Sequence, residues 1–321
     1  MTKKRYTEID MARGLGIILV VLGHALKQTG ELEGAPDVLL NVIYSFHMPL
    51  FFALSGFTAA KCLGMTDGAS IKAFAANRSR RLLVPYFAMG LLYMPVKLIM
   101  SRYAVKPYTL SDTWRILIGE NPNTALWFVY VLFLCSIAAA CLVTERNLKA
   151  SLCVSFVLSA SMYAFGMDIR FFKYFFFFLL GIYIRRNYES IKERIGSTGA
   201  AAASLVIFAA GNALLYRGIG VCTMVTALSG SCLVYAFACS LSPEGRSGAA
   251  VKLCGEYSMD IYIFSEPIMT AVRLVVWNIL GMSQGISIAV CFVGSIVTAI
   301  PVSMYIVRRI KPLRVLFLGM D

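Results

Sequence analysis

The chain has 321 residues, 59% of them hydrophobic and only 15% charged, with a mean hydropathy of +0.73. An ordinary soluble domain carries about 25% charged residues, so a water-soluble fold is excluded. The net charge of +13 does not indicate nucleic acid, because the Lys and Arg residues lie in short clusters between apolar segments and not along one basic face.

Apolar windows bounded by charged or turn-rich stretches predict helices near 11–28, 37–62, 82–103, 124–143, 150–166, 171–186, 199–216, 221–241, 258–280 and 285–307. The segments 150–166 and 171–186 are short for a bilayer of about 30 Å, and are expected to be tilted, paired or partly re-entrant. The first apolar run, Gly14 to about Leu26, is followed by His24-Ala-Leu-Lys and not by a small-residue cleavage site, so it is expected to stay as a helix. Lys3, Lys4 and Arg5 precede it, whereas Glu31, Glu33 and Asp37 follow it, which places the amino terminus inside. Lys72, Arg78, Arg80 and Arg81, then Arg185, Arg186, Lys192 and Arg194, and finally Arg308, Arg309, Lys311 and Arg314 fall on the same cytoplasmic side. The loop with Arg102, Lys106 and Arg115 is discordant and is partly offset by Asp112 and Glu120. The expectation is an all-α polytopic bundle of about ten transmembrane helices, both termini cytoplasmic, with residues 1–321 as one domain.

The nine cysteines fall mostly inside apolar stretches as small membrane-buried side chains. They show neither CxxC pairing nor other zinc-ligand spacing, so no metal site is expected.

Ionisable residues inside hydrocarbon are costly, and each one is a functional candidate. Both histidines of the chain lie in predicted helices. His24 follows Arg13 by eleven positions, which is three turns plus some 20° and roughly 16 Å along the axis, so both side chains share one face. With the amino terminus inside, Arg13 is near the cytoplasmic mouth and His24 nearer the outer half. Such a column suits a long anionic donor held by the arginine, with the histidine as general base on an acceptor hydroxyl. The alternative is an anchor in which Arg13 pairs with Asp10 and His24 bonds a neighbouring helix.

His47 lies in Ser45-Phe-His-Met-Pro-Leu-Phe-Phe-Ala-Leu-Ser-Gly56, where Pro49 is expected to kink the second segment at the depth of His24. Its role reads as support first, capping irregular backbone, and catalysis second. Arg78 and Arg81 are three apart and face the same way on a helix, as a phosphate clamp or as ordinary positive-inside residues. Glu266, in Phe264-Ser-Glu-Pro267, is the one carboxylate well inside a predicted span. It either pairs with Arg273, two turns on, or polarises a histidine or binds a hydroxylated acceptor. Trp127 and the run Tyr174-Phe-Phe-Phe-Phe178 read as interfacial and lipid-facing residues, with a sugar-stacking floor as the other role for Trp127.

Taken together, Ile9-Asp-Met-Ala-Arg13-Gly-Leu-Gly-Ile-Ile-Leu-Val-Val-Leu-Gly-His24, Ser45–Gly56, Arg80-Arg-Leu-Leu-Val-Pro-Tyr86, Ala125-Leu-Trp-Phe128 and Tyr257-Ser-Met-Asp-Ile-Tyr-Ile-Phe264 resemble the acyltransferase-3 membrane family, closest in flavour to its fucose 4-O-acetylase-like branch. The resemblance implies a multi-pass O-acyltransferase of the cell membrane, the bacterial cytoplasmic membrane in particular. It would take acetyl from cytoplasmic acetyl-CoA and deliver it to a hydroxyl on a cell-surface or lipid-linked carbohydrate, without metal or nucleic acid. It implies His24 as the catalytic residue and Arg13, Arg78 and Arg81 on the donor side, with Asp10, Ser45, His47, Trp127 and Glu266 as supporting or acceptor-side residues. Many relatives carry a histidine before the proline where this chain has Ser265-Glu266-Pro267. A partner protein or a second copy at the acceptor side stays open, as does a small-molecule transporter built on the same fold.

Overall fold

A computed structural model describes residues 6–28, 33–65, 67–100 and 108–320. Lys3, Lys4, Arg5, Glu31, Arg102 and Lys106, used above for orientation, lie outside the described residues. Among the described residues there are helices and no strands. In hydrocarbon every backbone donor and acceptor must be satisfied within its own segment, and a helix does this.

The membrane-scale helices are α1 (Thr7–Gln28), α2 (Ala35–Tyr44) with α3 (His47–Ala59), α4 (Gly68–Arg78) running on into α5 (Val84–Met100), and α6 (Trp127–Leu142). They continue with α7 (Leu148–Ala164), α8 (Arg170–Arg186), then, after the short α9 (Tyr188–Ile195), α10 (Thr198–Tyr216) and α11 (Cys222–Ser240). After α12 (Arg246–Glu256) come α13 (Ser258–Arg273) and α14 (Gln284–Pro301), and α15 (Lys311–Leu318) closes the bundle. Among the described residues each of the ten predicted segments is helical, and seven helical spans are long and apolar enough to cross a membrane. The remaining three, α7, α8 and α13, are shorter or carry charges, as α13 does with Asp260, Glu266 and Arg273. The fold is therefore an all-helical, multi-pass membrane bundle. Apolar windows do not signal α9, α12 and α15, because these helices are short and mixed in polarity.

α1 is the hub, packed against α2, α3, α11, α12, α13 and α14, with Met11, Ala12, Ile17, Val21 and Ala25 all but fully buried. Two glycine contacts set the closest approaches. A Cβ at Gly56 of α3 would lie 1.9 Å from the Phe178 carbonyl oxygen, and one at Gly181 of α8 would lie 1.9 Å from that of Ala53. Gly14 of α1 and Gly255 of α12 meet in the same reciprocal way. This backbone-to-backbone packing is the membrane use of small residues. It also corrects the reading of the aromatic run: Phe176, Phe177 and Phe178 are buried in the core, because α8 is drawn onto α3.

The kink expected at Pro49 falls earlier, at Ser45–Phe46, and Pro49 occupies the first turn of α3. Proline cannot donate to, and its ring clashes with, the carbonyl four residues back. That carbonyl belongs to Ser45, so the helix breaks there, and Pro49 then sits where a missing N–H costs least. In the discordant loop, Arg115 pairs with Asp112 at 3.4 Å and with Glu120 at 3.3 Å.

Candidate functional site

At one end of the bundle α1, α3, α4, α6, α13 and α15 enclose a cavity of about 730 Å³. Arg13, Arg78, Arg81 and Arg308 line it, together with Asp10, Glu256 and Asp260. Arg13 Nη1 donates to Asp10 Oδ1 at 3.2 Å, so it has its carboxylate and faces the cavity as well. Arg78 immediately precedes a π-helical turn, Ser79–Leu83, and Arg81 lies within it; the Arg78 guanidinium lies over the Phe74 ring at 5.2 Å. α15 completes the wall through Leu318. It can dock because Gly319 adopts φ +59° with its Cα against the Arg80 carbonyl, where any Cβ would clash. Arg185 lies over the rings of Tyr6 and Phe57, two more lining residues, so the predicted basic clusters gather at this end.

The apolar part of the lining is made by Val20, Met48, Phe51, Phe128 and Tyr262. Phe128 packs edge-on to Phe51 at 6.1 Å and to Tyr262 at 5.6 Å, and the Tyr262 hydroxyl donates to the Ala125 carbonyl. One helical turn beyond Val20 on α1 is His24, and one turn beyond Tyr262 on α13 is Glu266. His24 Nδ1 and Glu266 Oε2 are 3.6 Å apart, with the side chains 25% and 16% exposed. A separation of this kind is common before substrate tightens a catalytic hydrogen bond. A proton on Nδ1, facing the carboxylate, leaves the Nε2 lone pair to accept one from a substrate. The sequence leaves Glu266 between Arg273 and a histidine, and the fold brings it to the histidine.

Around this pair are groups that spacing does not reveal. The Tyr44 ring lies tilted against His47 at 4.8 Å between centroids and packs on Gly23. The Tyr93 hydroxyl meets Thr270 Oγ1 at 3.2 Å, and that hydroxyl donates to the Glu266 carbonyl at 2.9 Å.

His47 is buried, and its Nδ1 contacts the Ile43 carbonyl at 2.8 Å. Ser45 Oγ donates to Val42 O at 2.8 Å, and Thr226 Oγ1 reaches the Ser45 carbonyl at 3.4 Å. The carbonyls freed by the break are thus taken up by side chains instead of facing a cavity. His47 and Ser45 brace the break beside His24. Trp127 stands outside the cavity lining, in an aromatic cluster with Phe52 and Tyr174, and one ring face carries the Arg170 guanidinium at 4.8 Å. Its place is fixed by Asn123, whose side chain accepts from Ala125 N at 3.2 Å, and by Asn121, which donates to the Tyr86 carbonyl at 2.9 Å. Among the described residues no three His, Cys, Asp or Glu side chains are grouped as metal ligands.

Sequence reasoning passes over Asp260. It is 2% exposed and bound to Arg308, which by sequence is only a loop charge. The signal available is an aspartate in the first turn of an apolar helix, inside the motif Tyr257–Phe264.

Comparison with known proteins bears on this geometry. The acyltransferase-3 family model, described as an acyltransferase domain, matches residues 6–308. Nodulation protein NolL of Mesorhizobium japonicum is 29% identical over 170 residues, 51% of this chain and 41% of that protein. Nodulation protein NolL of Sinorhizobium fredii is 31% identical over 158 residues, 47% of this chain and 39% of that protein. The match thus spans about two fifths of the length of these curated relatives. No solved structure matches the chain significantly.

Proposed function

The chain belongs to the acyltransferase-3 family, and from that membership and the site we propose that it is a membrane O-acetyltransferase. It takes acetyl from acetyl-CoA at the cytoplasmic face and gives it to a hydroxyl of a cell-surface or lipid-linked carbohydrate on the other side of a bacterial cytoplasmic membrane. The observation that carries this reading is the His24–Glu266 pair at 3.6 Å, one helical turn past Val20 and Tyr262 in the lining of a cavity walled by Arg13, Arg78 and Arg81.

The arginines hold the phosphates of the donor, since their forked donors match phosphate oxygens and keep their charge at any working pH. The thioester end reaches His24 through the ring layer of Phe51, Phe128 and Tyr262, whose side chains swing to admit it. The acceptor enters from the opposite end, past Tyr44 and Tyr93. Its hydroxyl oxygen attacks the thioester carbonyl carbon while His24 Nε2 takes the hydroxyl proton. Glu266 stabilises the imidazolium that forms, as the carboxylate does in a catalytic triad. Collapse of the tetrahedral intermediate breaks the C–S bond, and the coenzyme A thiolate recovers the proton from His24. The products are the O-acetyl ester and free thiol.

The test is transfer and hydrolysis of radiolabelled acetyl-CoA by the detergent-purified protein, comparing wild type with His24→Ala and Arg13→Ala after insertion has been checked. Turnover that is lost in His24→Ala, with weakened donor binding in Arg13→Ala, supports the division of roles. A wild type that binds no acetyl-CoA, or an active His24→Ala, overturns it and makes flux of a small molecule the next measurement.

A further inference from the structure

The cavity carries one more arginine than the sequence assigns to the donor. Arg308 follows the π-helical turn Val302–Val307 that ends α14. Its Nε donates to Asp260 Oδ2 at 2.9 Å and its Nη2 to Oδ1 at 3.3 Å. Ser303 Oγ donates to the same carboxylate, and the Tyr257 ring lies against the guanidinium at 4.4 Å. Asp260 is sealed at 3% side-chain exposure, whereas Arg308 is 31% exposed, and both line the cavity. The forked pairing uses two of the five N–H donors of the guanidinium, leaving three out of it.

A buried carboxylate is costly to desolvate, and a buried ion pair is weak grounds for stability. Its more direct effect is positional. An unheld arginine at a membrane boundary extends its long stem toward water. This one is fixed by a carboxylate on one edge and an aromatic ring on one face. Arg13 with Asp10 is the same device on the facing helix α1, at 3.2 Å. Two clamped arginines thus stand on the α1 and α14 sides, with Arg78 and Arg81 on a third wall.

We propose that Arg308 is an anion-binding residue of the donor cavity and that Asp260, with Ser303, is its positioning residue. The proposal rests on the donor reading above and extends it: the cavity grips a phosphate group of the donor from the α13–α14 wall as well as from α1 and α4. The pair does more than latch α14 to α13.

Equilibrium binding of coenzyme A and of 3′-dephospho-coenzyme A is measured on the detergent-purified full chain. The variants are Arg308→Gln, Arg308→Lys, Asp260→Asn and Ser303→Ala, with Arg309→Gln, an exposed neighbour, as control. Removing one charge-assisted hydrogen bond to phosphate corresponds to about tenfold or more in affinity. Arg308→Gln is expected to weaken coenzyme A binding by at least that factor, Arg308→Lys by less, and Asp260→Asn by an intermediate amount, with KM rising more than kcat falls. Arg309→Gln binds as wild type. If Arg308→Gln loses affinity for coenzyme A but not for the dephospho form, Arg308 reads the 3′-phosphate. An equal loss for both assigns it to the diphosphate. Should Arg308→Gln not fold, Arg308→Lys and Ser303→Ala decide by the same KM shift. Unchanged affinity in folded Arg308 and Asp260 variants, with only a lower melting temperature, overturns the proposal and leaves a latch. A wild type that binds neither ligand overturns the donor reading itself.

Discussion

The two ends of α1 are built on opposite principles. At the Arg13 end the space is wide and charge arrives from α1, α4 with its π-helical turn, α13 and the segment after α14, with carboxylates interleaved among the arginines. At the His24 end the aromatic rings of Phe51, Phe128 and Tyr262 lie between that cavity and the His24–Glu266 pair, which is 3.6 Å apart. Binding spread over several arginines degrades gradually when one of them is removed. Chemistry that depends on one proton acceptor does not. In the proposed reaction one helix serves both: the spacing is fixed by the helix, while each environment is supplied by different partners.

Substitutions test this contrast. His24→Ala is expected to have the largest effect, lowering transfer by about 10²- to 10⁴-fold with coenzyme A binding unchanged, as read by single-turnover transfer alongside equilibrium binding. Glu266→Gln comes next, at about 10²-fold in kcat with little change in donor KM. An equal fall in both parameters would place Glu266 outside the chemical step. Arg78→Gln and Arg81→Gln are each expected to raise donor KM by about tenfold while kcat holds, and to flatten the dependence of KM on salt. The smallest effect belongs to Asp112, far from the site. The Thr109 hydroxyl and amide hold its carboxyl below the usual range, so its stabilising contribution is present above the unfolded carboxylate value and lost as pH falls through the lower folded one. Asp112→Asn is expected to leave transfer untouched and to remove a small acid-side slope from the melting temperature, measured from neutral pH down to about pH 3.

What the sequence reveals follows from the distance over which its signals act. Apolar windows are local, and among the described residues each of the ten predicted segments is helical. Arg13 and His24 lie on one helix, so periodicity alone aligns them, as it does Arg78 and Arg81. Pairings between distant helices leave no such mark. His24–Glu266 is readable only as two separate buried ionisable groups, Asp260–Arg308 as a helix-end acid and a loop charge. The aromatic run of α8 looks lipid-facing because its burial depends on Gly56 and Gly181, which permit an approach that composition does not disclose. Pro49 does announce a break, but the clash acts four residues upstream, and the break falls there.

Among the described residues there are three π-helical turns: Ser79–Leu83 lies between α4 and α5, whereas Leu274–Ile279 and Val302–Val307 end α13 and α14, and two of them contain or adjoin cavity arginines. A π-turn is in effect an α-helix carrying one extra residue. Taking that residue out restores the ordinary winding and leaves the helix beyond the turn in phase, but it changes which way residues inside the turn face relative to those before it. Deleting Ser79 alone would keep every charge of the Arg78–Arg81 segment while turning Arg81 away from Arg78. On the proposed donor reading, the helical phase and not only the residue type shapes the binding surface, and a one-residue deletion is a sharper genetic probe of it than the loss of a side chain.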